Sequence, residues 1–171
     1  MAQQPNQFVA VQLVGGGAPA DGAEIASSPW WPTINPAHAR EVMRFDGAIT
    51  PMRLRSALIT AIAQTNSELR AWREANNAAG YQALSAVPGE IVDDENELVG
   101  CYRQAIYCSA AADLLERMRD YDTTWEGHTR ADRVEWPIDD YRRDRWYLIQ
   151  RILAAGVSGS SEPRHNIIEL I

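Results

Sequence analysis

Residues 136–146 read WPIDDYRRDRW, three aspartates and three arginines between two tryptophans. Three chemistries fit those types. Asp139, Asp140 and Asp144 could serve a nuclease or a glycosidase as paired carboxylates. Arg142, Arg143 and Arg145, with Tyr141 and Trp146, could hold phosphate and stack a base. The same mixture suits a seam between subunits, because Trp and Arg are the residues most enriched where binding energy concentrates. Spacing weighs against the first reading. Every aspartate lies within four residues of an arginine, and surface ion pairing explains that pattern more often than catalysis does. The aspartates also weigh against the second, since they repel phosphate at the same range.

Other chemistry finds less support. His38, His128 and His165 are far apart in the chain, and none has a second histidine at helical spacing, so no metal-ligand pattern forms. No GxSxG elbow is present. Gly15, Gly16 and Gly17 lack the Lys-Ser/Thr of a phosphate-binding loop. Cys101 and Cys108 are the only cysteines. On one helix they stand about 10 Å apart along the axis, too far for a disulfide, and they read as small buried apolar residues. No enzyme and no cofactor is expected.

The elements that must carry these residues are helical. At 171 residues and 46% hydrophobic the chain suits one domain with a core of its own. A net charge of −7, with all 16 basic residues arginine, argues against a broad nucleic-acid surface. No apolar run spans a membrane and no basic leader opens the chain, so a cytoplasmic product is expected. Residues 1–28, with one alternating run at 8–14, read as a flexible N-terminal arm, and order is expected from PWWP at residue 29. Asn35-Pro36 starts a short helix. Thr50-Pro51 starts a long one over about 51–79, with Leu54, Leu58, Ala61, Thr65, Leu69 and Trp72 on one face and Gly80 as the stop. Residues 84–97 read as a polar connection. A third helix spans about 95–120, its seam made of Leu98, Cys101, Ala105, Cys108, Ala112 and Leu115. A last helix covers part of 129–153, with Pro137 either opening it or kinking an earlier turn. The expectation is all-α: a bundle of three to four main helices over residues 29–156, an arm before it, and a linker with an apolar tail over 157–171.

Six tryptophans are many for this length, and several fall in charged or loop segments. Trp136 and Trp146 either anchor an inter-subunit seam or pack on their own bundle; both readings stay open. In the tail, Ile167, Ile168, Leu170 and Ile171 bury too little surface to order alone in water. They suit docking on another protein, as an added strand for example. Folding back on the bundle is the plain alternative.

One long stretch resembles a known family. PWWPTINPAHAREVMRFDGAITPMRLRSALITAIAQTNSELRAWRE is similar to the opening of the P2-like phage head completion (head stabilisation) proteins. The shared features are the aromatic-Pro start, the Pro-x-Arg-Leu-Arg helix start at 51–55 and the Thr-Asn-x-Glu-Leu at 65–69. The likeness continues through Tyr102 to Ala105, Leu114 to Arg117 and the acidic-basic last helix. Residues 1–28 match poorly. The resemblance implies a structural virion protein that acts after packaging and keeps the filled head from losing its DNA. It also implies kinship with helical adaptors that form a ring between the portal protein and a neck or tail-terminator protein, at the head-tail neck. A portal-matched ring would be a dodecamer, and at −7 per chain it would carry −84. Packaged DNA would then pass a partly acidic lumen without specific binding. On this reading Trp136, Asp139, Asp140, Arg142, Arg143, Asp144, Arg145 and Trp146 form the inter-subunit seam, and Ile167, Ile168, Leu170 and Ile171 bind the portal. The alternative is a DNA-end-binding protein that uses Arg142, Arg143 and Arg145.

Overall fold

The computed structural model describes residues 21–45, 49–121 and 125–157, with side chains for all of these except 119–137. Among them are five α-helices and one small hairpin. Helix α1 is Pro36–Val42, α2 Pro51–Glu68, α3 Arg70–Ala78, α4 Glu97–Tyr121 and α5 Trp125–Ala154. The fold is all-α apart from that hairpin.

Local chemistry sets the helix starts. The Asn35 side chain accepts from the His38 N–H at 3.1 Å, Thr50 accepts from the Arg53 N–H at 3.3 Å, and a proline stands at the first position of both helices. Gly80, at φ +104, ends α3 in the left-handed conformation that spares a Cβ clash. The helix expected over 51–79 is interrupted at Leu69, whose ψ of 5° departs from the helical value. Helical bonds flank it on both sides, from Leu69 N–H to Thr65 and from Arg73 N–H to Leu69. No glycine or proline marks the break, so side-chain periodicity runs through it unaltered.

The connection at 84–97 is more ordered than a polar loop. A 3-10 turn at Leu84–Ala86 is followed by strand β1, Ile91–Val92, paired antiparallel with β2, Glu95–Asn96. Asp93 and Asp94 close the hairpin, both at positive φ (50° and 60°). Residue 96 then starts α4, because its Oδ1 accepts from the Leu98 N–H at 2.9 Å. Its Nδ2 donates to Val87 at 2.8 Å and Ser85 at 3.3 Å, which fastens the hairpin base to the preceding loop.

Helix α4 is the middle of the bundle, packed by α5 along one side and α2 along another. Its buried residues therefore surround it and form no single stripe: Leu98, Cys101, Tyr102, Ala105, Ile106 and Tyr107 are all 8% exposed or less. Cys101 and Cys108 are free buried thiols, as expected for core residues. Helix α5 contributes Ile138, Ile149 and Ile152 to the same interior. It begins ahead of Pro137, which lies inside the helical run and does not open it.

The N-terminal boundary expected at residue 29 needs correction. From Asp21 onward the chain already belongs to the fold. Asp21 and Arg40 form a buried ion pair, and the Arg40 Nε and Nη2 donate to the carboxylate at 2.7–2.9 Å. Ile25 pairs with Ile34 through two backbone bonds, 2.8 and 2.9 Å. The Gly/Ala-rich composition hid both anchors. Trp30, Trp31 and Trp72 are also buried, in one aromatic cluster with Tyr102. Trp31 stacks on Tyr102 at 4.7 Å, and Trp30 meets Trp72 edge-on at 5.7 Å. The alternating run at 8–14 lies outside the described residues.

Candidate interaction surface

Ile138, Ile149 and Ile152 fix which way α5 faces, and the outward side follows from helical spacing. Asp139, Asp140, Arg142, Arg143, Asp144, Trp146 and Tyr147 all stand exposed there. Trp146 and Tyr147 are 55% and 59% exposed, with ring centroids 5.0 Å apart and nearly perpendicular planes. Arg142 and Arg143 lie one turn earlier on the same side. Trp146 is therefore turned largely to solvent and is not packed into its own bundle. The Trp136 side chain lies outside the described residues, as do Ile167, Ile168, Leu170 and Ile171.

Each arginine of the cluster meets carboxylates of its own chain. Arg142 pairs with Glu116 on α4 and stands 3.8 Å from Asp139. Arg143 bridges Asp140 at 2.9 Å and Asp144 at 3.7 Å. Arg145 reaches across to Glu68 at the end of α2, 2.6 Å away. These pairs differ in kind. Arg142 and Arg143 are more than half exposed, and such pairs contribute about 0–1 kcal/mol each. Arg145 is 22% exposed and holds α5 to α2, so it braces the scaffold that presents the rings. Beneath the braces a cavity of about 400 Å³ opens between α2, α4 and α5, floored by Ala57, Ala61 and Ala112.

The C-terminal end of α5 is pinned by Trp72, expected only as an apolar face residue, and by Asn76, which sequence reasoning did not single out. The Trp72 Nε1 donates to Ala155 at 2.9 Å. The fully buried Asn76 donates to Val157 at 3.1 Å and accepts from the Val157 N–H at 3.0 Å. Asn76 continues the stripe of Leu69 and Trp72 at a position where an apolar residue would be expected. A lone polar residue on a core face was the available signal.

The geometry offers little for catalysis. Burial pushes the Cys108 thiol up to about 11, a shift only partly offset by a Gln104 hydrogen bond, and burial raises Cys101 as well. Both sulfurs therefore stay protonated near neutrality. Burial likewise raises Tyr107 to about 12, and its hydroxyl lies 2.9 Å from the His38 Nδ1. Among the described residues no cluster of His, Cys, Asp and Glu could hold a metal ion, and no helix is long and apolar enough to cross a membrane. The His128 and His165 side chains lie outside the described residues.

What remains is a helical scaffold presenting a charged and aromatic face, and comparison with known proteins says where such a scaffold is used. The profile of the family described as phage head completion protein (GPL) matches residues 25–161. The chain belongs to the phage head completion family. The match begins close to the buried Asp21 and Ile25, ahead of residue 29. A head completion/stabilization protein of Escherichia phage P2 is 36% identical over 132 residues, which cover 77% of this chain and 78% of that one. No solved structure matches the chain. Membership makes this a structural protein of phage head assembly and a virion component.

Proposed function

We propose that this head completion protein is an adaptor that assembles as a ring, a dodecamer when matched to the portal, and joins the portal to the neck or tail-terminator protein. The observation that carries this reading is the α5 face, where Trp146 and Tyr147 are held in solvent by a helix braced to both α2 and α4. Two neighbouring rings more than half exposed are a poor use of aromatic surface in a monomer and a good one in an assembly. The tail supplies the second contact. Asn76 fixes Val157, the last described residue, and Ile167, Ile168, Leu170 and Ile171, further along the sequence, would dock on the portal. The net charge of −7 per copy suits a lumen that lets DNA slide past.

Binding to a DNA end fits less well. Arg142, Arg143 and Arg145 stand among Glu116, Asp139, Asp140, Asp144 and Glu68, whose carboxylates repel phosphate at the same range. Light scattering after size exclusion tests the adaptor reading, with the purified chain alone and mixed with its cognate portal ring. A complex of portal-matched stoichiometry is expected, with loss of that complex on deletion of residues 163–171. A chain that ignores the portal but binds duplex ends with steep salt dependence would overturn the reading.

A further inference from the structure

Ile91 and Val92, the first strand of the Ile91–Asn96 hairpin, are 67% and 61% exposed. The turn that carries them is fastened from below. The Asn96 side chain bonds Val87, Ser85 and Leu98, and Arg103 forks Glu95 at 2.7 and 3.0 Å. The Glu97 N–H closes on the Glu90 carbonyl at 2.9 Å. Gly89 leaves no room for a side chain, since a Cβ there would stand 2.8 Å from the Asn96 Oδ1. A β-branched pair fixed in water in this way suits contact with another molecule, because little freedom is left to lose on binding.

Its place in the bundle narrows the choice of molecule. The hairpin stands at the end where the described chain stops. Val87 is the common neighbour: its carbonyl accepts from Asn96 at the hairpin base, and a Cβ added at Gly156 would stand 2.8 Å from its Cγ1. Glu97, at the start of α4, also pairs with Arg151 in the last turn of α5. Ile167 is ten residues beyond Val157, a reach of about 36 Å at most in a fully extended chain. A protein that takes the tail therefore meets or closely approaches this end.

Charge narrows the surface. Glu90, Asp93 and Asp94 flank the aliphatic pair, and among the described residues no arginine pairs with them. Glu95 and Glu97 beside them are each held by an arginine of this chain, so those three acids are the charge left over. They oppose duplex phosphate, and they oppose a second copy, whose net charge is −7. Resting on the adaptor reading above, we infer that the hairpin is a second portal contact beside the tail. Ile91 and Val92 enter an apolar slot on the portal protein, and Glu90, Asp93 and Asp94 meet a basic rim around it. Apolar burial supplies the attraction, and the acids set direction and speed of encounter.

Two hairpin variants and a tail deletion test this, with the cognate portal ring as the probe. One variant carries Ile91→Thr with Val92→Thr, which keeps the branching that suits a strand. The other carries Glu90→Gln, Asp93→Asn and Asp94→Asn. Asn accepts the left-handed φ of 50° and 60° found at 93 and 94, so the turn is kept. All of these side chains are exposed, so melting temperatures should match the unaltered chain, and circular dichroism checks this first. Portal affinity is then titrated by analytical ultracentrifugation at low and high salt. The threonine pair should bind about 10-fold or more weaker at both. The neutral variant should bind about 10-fold weaker at low salt and lose most of the salt dependence of the unaltered chain. If both variants bind as the unaltered chain does, while deletion of residues 163–171 abolishes binding, the hairpin contact is overturned and the adaptor reading stands. Tighter binding by the neutral variant also overturns it, because the portal surface is then acidic. Normal portal binding with loss of self-association puts a second copy on the hairpin, and the inference falls again. An unaltered chain that ignores the portal overturns adaptor and contact together.

Discussion

Removing the Asp21 carboxylate while leaving Arg40 in place should destabilise the whole bundle. The two side chains are 4% and 12% exposed, and Arg40 donates to both carboxylate oxygens at 2.7–2.9 Å and to the Ile49 carbonyl at 2.9 Å. In Asp21→Ala the guanidinium keeps its charge and its burial but loses three short bonds to a buried carboxylate, and breaking a buried pair from one side costs about 3–5 kcal/mol. For a chain of this length that is roughly 6–20 °C in melting temperature. Asp21→Ala combined with Arg40→Ala should cost less than the two single changes summed, since both remove the same direct contact. Removal of residues 1–28 should destabilise too, because it deletes both Asp21 and the buried Ile25. Chemical denaturation followed by circular dichroism reads all of these. A loss under about 0.5 kcal/mol for Asp21→Ala, the level of an ordinary surface substitution, would refute the buried pair and return residues 21–28 to the status of an arm.

Three further outcomes follow from the packing. Gly156→Ala should cost roughly 2–4 kcal/mol, because φ is +63° and a Cβ would run into Asn76 and stand 2.8 Å from the Val87 Cγ1; a thermal melt checks it. Arg145→Ala should cost about 1 kcal/mol, its lost bond to Glu68 partly offset by removal of a buried Nε that has no partner, whereas Arg143→Ala should change stability by less than about 0.3 kcal/mol. Stability should fall as pH rises above about 9, because the Cys108 thiol sits at 9.0 in the unfolded chain and near 11 in the fold. The folded state then holds the proton that the unfolded state releases, and the contribution is complete below 9 and lost through 11. Unfolding curves from pH 7 to 11 read this, and native protein should resist a thiol reagent at pH 8.

Helix starts and stops were legible because each is a local event. Asn35-Pro36, Thr50-Pro51 and Gly80 do in the fold what their types dictate. On α4, Leu98, Cys101, Ala105, Cys108 and Ala112 were legible as core, whereas Leu115 is only partly buried and the buried Tyr107, Ala110 and Leu114 lay off the single expected seam, because the helix is packed on more than one side. The hairpin was not, since two-residue strands leave no periodicity, and Asp93-Asp94 lacks the glycine that usually announces such a turn. Asp21 and Asn76 were missed for a different reason. Each is a polar residue whose burial depends on a partner far away in the chain, Arg40 in one case and Val157 in the other, and no local pattern encodes that meeting. The arginine cluster was legible in type. Its pairing was legible only in part: Asp139, Asp140 and Asp144 are neighbours in sequence, but Glu116 and Glu68 come from other helices.

That pairing bears on how the α5 face would work in an assembly. Arg142 and Arg143 are paired before any partner arrives, so neither presents a bare guanidinium that would seize DNA. The pairs are exposed and each contributes little, so rearranging them toward a neighbour's acids also costs little. The attraction would come from Trp146 and Tyr147, which already pack edge to face and lose little freedom on binding. A surface built this way gives weak contacts singly. Closing a ring on a portal would make each successive contact partly intramolecular and multiply their effect without any new contact. Assembly would then follow the portal and would not precede it, so the free protein should be largely monomeric at micromolar concentration and sharply oligomeric once the portal is present.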